Sequence, residues 1–172
     1  HVPLLDYVQS LVKPGQATAK AYYNARGWVA HVISNIWGFT APGESAVWGS
    51  TNNGGAWMCQ HIWQRFLFGR DKKELAKYYP TMRGAAEFYV DFLVENPDGF
   101  LVTAPSNSPE NAFRTKDGKV AHTCAGPVMD IQIVRELFTN TISAAKVLGV
   151  DAELQTILAE KLAKLPPHKV GK

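Results

Sequence analysis

The sequence predicts an all-α chain built as a layered helical barrel, with inner helices enclosed and outer helices half wet. Three observations carry that expectation. Most of the chain reads as helices on short connectors, in about seven segments. Those segments alternate between apolar on every side and apolar on one face. Two long loops, Ala30–Asn53 and Pro105–Pro127, interrupt them, and a plain bundle has no need of either.

The elements follow in order. Pro3–Val12 and Pro14–Tyr23 each open on a proline, which suits a first helical turn. Gly54–Phe68 is apolar nearly all round, since Trp57, Met58, Ile62, Trp63, Phe66 and Leu67 do not share one stripe, so a buried helix is expected. Lys72–Tyr78 and Pro80–Glu95 follow as separate helices, the second with Met82, Ala85, Ala86, Tyr89 and Leu93 on one face. Asn96-Pro97-Asp98-Gly99 is a turn signal of the type I kind. Phe100–Ala104 is the one strand expected, and Pro105–Pro127 reads as irregular. Met129–Leu148 has a clean face of Val134, Leu137, Phe138, Thr141, Ala145 and Leu148, and Gly149 stops it. Asp151 is expected to cap a last helix that runs to Leu165 before Pro166-Pro167.

The chain has 172 residues, 46% hydrophobic and 19% charged, which suits an ordered domain with a sizeable core. Its 18 basic residues are spread along the chain, and the net charge is +3. A nucleic-acid binder would show a basic stripe with interleaved aromatics, and none is present. No apolar run approaches the ~18 residues of a membrane span. His1 is not a natural start, so the chain reads as cut from something longer, and the lack of a leader says little. Cys59 and Cys124 suit either redox compartment. Five Trp, six Tyr and eight Phe, many beside glycines, suit either a core or a carbohydrate site.

Cys59-x-His61 and His122-x-Cys124 look like mirrored zinc ligands. Residues two apart on a helix point about 200° away from each other, so Cys59 and His61 do not chelate one ion, and no metal is expected. Gly27–Gly38 mixes Trp28 and Trp37 with His31, Ser34 and Asn35. Indole faces stack on sugar C–H faces while His and Asn bind hydroxyls, but spacing alone favours core tryptophans and a buried imidazole. Asn52 and Asn53 read as caps for the helix that follows them. In Thr103–Phe113 two prolines stiffen a polar loop, and Pro109 restricts the direction in which Glu110 is presented. A catalytic acid needs such a carboxyl, held still in surroundings that keep it protonated near neutral pH. From pattern alone, a solvated or capping Glu110 is the commoner case.

The motifs become specific together. Gly27–His31 (GWVAH) with Asn35–Gly38 (NIWG), Thr40–Glu44 (TAPGE), Gly54–Trp63 (GGAWMCQHIW), Tyr79–Phe88 (YPTMRGAAEF), Leu101–Asn111 (LVTAPSNSPEN) and Met129–Phe138 (MDIQIVRELF) occur in that order, the last followed by Ala144-Ala145 and Leu148-Gly149. Together they resemble glycoside hydrolase family ninety-five, the inverting α-L-fucosidases, some of which act on L-galactose. The likeness covers essentially the whole chain. It implies an (α/α)6 barrel, an oligosaccharide or glycan substrate, no cofactor, and a secreted, periplasmic or cell-surface bacterial protein. It implies Glu110, in the S-P-E-N segment, as the general acid. The water-activating asparagines and their aspartate belong to segments outside residues 1–172, and Asn52 and Asn53 do not match them. The chain is therefore expected to supply roughly half the barrel and to need the remainder for activity. Many relatives read His-His-Asn-Thr-Asp-Ile-Trp where this chain has His31-Val32-Ile33-Ser34-Asn35-Ile36-Trp37. That difference leaves fucose against L-galactose open. His31, Asn35, Trp37 and Trp48 are the expected sugar-binding residues, the two tryptophans by stacking.

Two other classes compete. One is a carbohydrate-binding helical module without chemistry, which would have no use for a proline-braced acid. The other is a helical-repeat interaction protein, and the chain shows no internal repeat.

Overall fold

Six α-helices and three two-stranded antiparallel ribbons make up the computed structural model, which describes residues 1–168. Helices α1 (Val2–Ser10) and α2 (Val12–Tyr23) meet at Leu11, and α2 stops at Asn24, whose φ of 49° ends the helical run. Then α3 spans Gly54–Gly69, α4 Lys72–Phe92, α5 Val128–Leu148 and α6 Ala152–Ala163. Helix α4 lies against both α3 and α5, α6 covers α5, α1 lies over α3 and α4, and α2 lies over α4. No helix among the described residues is long and apolar enough to cross a membrane.

Several expected helix boundaries move, and one expected break is absent. The helices predicted over Lys72–Tyr78 and Pro80–Glu95 are one helix, with Pro80 inside it. An internal proline costs about 3 kcal/mol. Here Tyr78, Tyr79, Met82, Ala85, Ala86, Phe88 and Tyr89 on either side of it are all buried, which outweighs that penalty. Asp71 caps α4, its carboxylate accepting from Lys73 N at 2.8 Å and Glu74 N at 3.1 Å. Asp151 precedes α6 as predicted but makes no side-chain cap. Its backbone sits at φ 54°, not in the extended region that aims a capping oxygen at the helix. The carboxylate instead accepts from Tyr79 Oη at 2.9 Å. Gly149 ends α5 at φ 72°, as expected of a left-handed stop.

The predicted strand is half of a hairpin. β1 (Val94–Glu95) pairs with β2 (Leu101–Val102), Val94 opposite Val102, around the Asn96–Gly99 turn. The stretch predicted as irregular is a doubled-back ribbon. β3 (Ser106–Asn107) pairs with β6 (Thr123–Cys124), and β4 (Phe113–Arg114) pairs with β5 (Val120–Ala121) further out.

Trp28 is the centre of the core, 1% exposed, with its indole N–H donating to Thr81 O at 2.8 Å. Three helices reach it through glycines. A methyl group at Gly15, Gly55 or Gly84 would lie 2.9, 2.8 or 2.9 Å from indole carbons. Such close approach is why the positions carry no side chain. The all-round burial expected of α3 is not met in this chain. Trp57 is 53% and Phe68 90% exposed, and Trp57, His61, Gln64 and Phe68 recur at helical spacing along one side.

Candidate active site

The two long loops are stitched to each other, and that stitching builds the site. Asn107, fully buried in β3, is the first knot. Its side-chain oxygen accepts from Ser50 Oγ at 2.8 Å and Thr51 Oγ1 at 2.9 Å, and its amide nitrogen donates to Val47 O at 2.8 Å. Asn52 Nδ2 donates to Pro105 O at 3.3 Å, while Tyr89 Oη donates to Asn52 O at 2.9 Å. Asp130, in the first turn of α5 and fully buried, is the second knot. Its carboxylate accepts from Asn53 Nδ2 at 2.8 Å and from Thr103 Oγ1 at 2.7 Å. Ser106 Oγ, buried and without a partner of ordinary geometry, faces the same carboxyl. Burial raises the Asp130 pKa above the usual carboxylate value, and these donors oppose the rise. The side chains of Asn52 and Asn53 therefore do not cap α3: one amide joins the two loops and the other ties the head of α3 to α5.

From this clamped base the chain turns outward through Ser108–Asn111. The turn is closed by Asn111 N donating to Ser108 O at 2.7 Å and Asn111 Nδ2 donating to Ser108 Oγ at 3.1 Å. Glu110 stands exposed on that turn, with Pro109 before it on the wall of an open cleft of about 430 Å3. Ser34, Thr51, Asn53, Trp57 and His61 line other parts of the cleft. The cleft thus offers an aromatic face with several hydroxyl and amide groups, and Glu110 is the residue after Pro109 at its wall. Such a surface can stack on a pyranose ring, bind its hydroxyls and deliver a proton.

The other expected sugar-binding residues do not line this cleft. His31 is fully buried, with Tyr23 Oη 2.6 Å from Nε2 and Thr40 O 2.7 Å from Nδ1. Both ring nitrogens are satisfied within the protein, and burial lowers the pKa. Asn35 turns its side-chain oxygen back onto Trp37 N at 3.0 Å and Phe39 N at 3.3 Å, holding its own loop. Trp37 is 87% exposed on that loop. Trp48 is half-buried where Gly43 passes so close that a methyl there would lie 2.4 Å from the indole. The structure thus gathers Ser34, Thr51, Asn53, Trp57, His61 and Pro109 around the cleft, and Glu110, which sequence reasoning singled out for chemistry, follows Pro109. From the sequence Trp57 reads as core, because it falls in a run apolar on all sides. Cys59 is fully buried with its thiol toward Thr81 O, and His122 meets Asn111 O at 3.1 Å.

Comparison with known proteins places the chain. The model of the glycosyl hydrolase family 95 catalytic domain matches residues 1–172. Alpha-L-fucosidase 2 of Arabidopsis thaliana is 41% identical over 99% of this chain and 20% of its own length. Probable alpha-fucosidase A of Aspergillus niger is 30% identical over 96% of this chain and 21% of its own length. The chain thus spans about a fifth of each relative it matches. With helices, clamped loops and an exposed glutamate all set within the matched span, the chain belongs to the glycosyl hydrolase family 95 catalytic domain.

Proposed function

We propose that this chain carries the acid side of an inverting α-L-fucosidase active site, with Glu110 as the general acid. The observation that carries the proposal is the closed Ser108–Asn111 turn, in which Glu110 directly follows Pro109 on the wall of the cleft of Trp57 and His61. Glu110 protonates the glycosidic oxygen as it leaves, while the opposite face of the sugar receives a base-activated water. Inversion requires the acid and base sides to stand ~6.5–9.5 Å apart to leave room for that water. The base side lies in parts of the protein outside residues 1–172. Terminal α-L-fucosides are the substrates, and α-L-galactosides, which differ by one hydroxyl on C6, are the related class.

The remainder of the protein completes an (α/α)6 barrel around this half. The unpartnered side of α3 supports that reading: Trp57 and Phe68 are exposed along one stripe, with Leu67 41% exposed beside it. An enclosed inner helix is apolar all round, and α3 has that composition without yet having that enclosure.

The test is hydrolysis of aryl α-L-fucosides by the full-length protein and its Glu110→Gln variant, with α-L-fucosyl fluoride as a substrate that needs little protonation. Glu110→Gln should lose about 10²–10⁴-fold on the aryl substrate and keep activity on the fluoride. Release of the β-anomer first, read by NMR, establishes inversion. Equal activity of parent and variant on both substrates rejects the assignment. A parent that binds fucosides without hydrolysing them would mark the chain as part of a carbohydrate-binding module.

A further inference from the structure

We propose that Asp130 is a positioning residue for the reaction, a buried clamp that sets where Glu110 stands without touching the sugar. The proposal rests on the reading of Glu110 as the acid.

The geometry is specific. Asp130 lies on α5, far from Glu110 in the chain, yet its two carboxylate oxygens divide between the two loops that build the site. One takes Asn53 Nδ2 at 2.8 Å, at the head of α3, where Asn53 also lines the cleft. The other takes Thr103 Oγ1 at 2.7 Å, just beyond β2 and at the root of the segment that leads to Glu110. Ser106 faces the same carboxyl from β3. Each of these residues is fully buried or nearly so: Asn53 is 1% exposed, and Thr103, Ser106 and Asp130 are 0%.

A buried carboxylate is a costly way to fill such a space. An apolar residue of similar volume in a repacked pocket would commonly serve stability as well or better. What a carboxylate does that an apolar side chain does not is accept directional bonds from several donors at once, and so hold them in register. Its position in the first turn of α5 lowers the cost, because the helix N-terminus favours negative charge. Among the described residues, the Asn53 amide nitrogen and the Thr103 hydroxyl make no side-chain hydrogen bond except to this group, and the buried Ser106 hydroxyl beside it has no other partner. The strand root at Thr103 and the cleft wall at Asn53 are thus fixed relative to each other by one side chain. A carboxyl that must meet the leaving oxygen loses about 10²-fold if misplaced by about 1 Å.

The experiment compares parent, Asp130→Asn, Thr103→Val, Glu110→Gln and the Asp130→Asn/Glu110→Gln double variant in the full-length protein. Each is assayed for kcat and KM on aryl α-L-fucosides of graded leaving-group acidity and on α-L-fucosyl fluoride. Asp130→Asn keeps the shape but turns one acceptor into a donor facing a donor. The expected result is a kcat loss of about 10–100-fold on the poorest leaving group, shrinking as the leaving group improves and nearly absent on the fluoride. KM should stay close to the parent's, and the double variant should be no slower than Glu110→Gln alone. Thr103→Val, a milder change on the other side of the clamp, should show the same leaving-group selectivity at smaller size, and it carries the test if Asp130→Asn does not fold. An equal loss on every substrate including the fluoride, or unaltered kinetics with a lowered melting temperature, overturns the proposal by making Asp130 a structural residue only. If Glu110→Gln itself is as active as parent, the acid assignment fails first and takes this inference with it.

Discussion

Tyr23 Oη stands 2.6 Å from His31 Nε2, and the two rings stack with centroids 5.8 Å apart. Thr40 O takes the other ring nitrogen at 2.7 Å, so His31 is the neutral tautomer with its proton on Nδ1 and an acceptor at Nε2. The imidazole is therefore a strut between α2 and the loop that carries Asn35 and Trp37. Removing the tyrosine hydroxyl leaves a buried nitrogen unpaired. Tyr23→Phe should destabilise the protein by about 1–3 kcal/mol, read by urea unfolding. A change below about 0.5 kcal/mol would mean that water replaces the hydroxyl.

The same strut has a pH signature. Burial lowers the His31 pKa in the folded protein below its unfolded value of about 6.5. As pH falls below that value, the unfolded chain takes up the proton before the folded one does. Stability from this site is therefore complete above about pH 6.5 and declines on acidification until the folded pKa is passed. Unfolding midpoints measured from about pH 8 down to about pH 5.5 should fall more steeply for the parent than for His31→Gln. Parallel curves would mean that His31 binds its proton equally well folded and unfolded, and would reject the lowered pKa.

Asn107 should be the least replaceable polar residue of the long ribbon. Asn107→Asp sets an oxygen against Val47 O, where the amide nitrogen donated at 2.8 Å, and adds a buried charge. The expected cost is at least about 2 kcal/mol. Because the loop beyond it carries Glu110, hydrolysis of aryl fucosides should fall in the fraction that remains folded. A variant with parental stability would place the loop's anchorage elsewhere.

The glycine socket around Trp28 predicts a steric effect with no chemical one. Gly55→Ala puts a methyl 2.8 Å from the indole, with Ala30 N also within contact. Overpacking of this kind costs about 1–3 kcal/mol. Differential scanning calorimetry should show a lowered melting temperature, and Gly69→Ala, where nothing lies near the added carbon, serves as the control.

The exposed stripe on α3 gives the isolated chain a surface it does not tolerate in water. Residues 1–172 alone should self-associate on size-exclusion chromatography, and Phe68→Ser should reduce that association, since this ring is 90% exposed. A monodisperse monomer at high concentration would count against α3 being an inner barrel helix.

Much of this was legible along the chain, and the reason is the same in each case: the signal is local. The period of α5 and the stop at Gly149 are set by neighbouring residues, as is the Asn96–Gly99 turn. The outer ribbon was also readable, since Asp117-Gly118 between Phe113-Arg114 and Val120-Ala121 is a hairpin signal. Its strands are two residues long with side chains largely exposed, so they carry no alternation and the stretch reads as irregular. What only the tertiary structure decided is what each polar side chain is for. Asn52, Asn53 and Asp151 have the composition of caps, yet their partners come from other elements: Pro105, Asp130 and Tyr79. Pro80 looks like a break, but burial on both sides of it carries α4 through. Trp28 and Trp57 look alike in sequence, and one is enclosed by three glycines while the other faces the cleft. Propensity and periodicity act over a few residues and so can be read from the chain. A hydrogen bond between residues 77 apart, as from Asn53 to Asp130, exists only once the helices between them have packed.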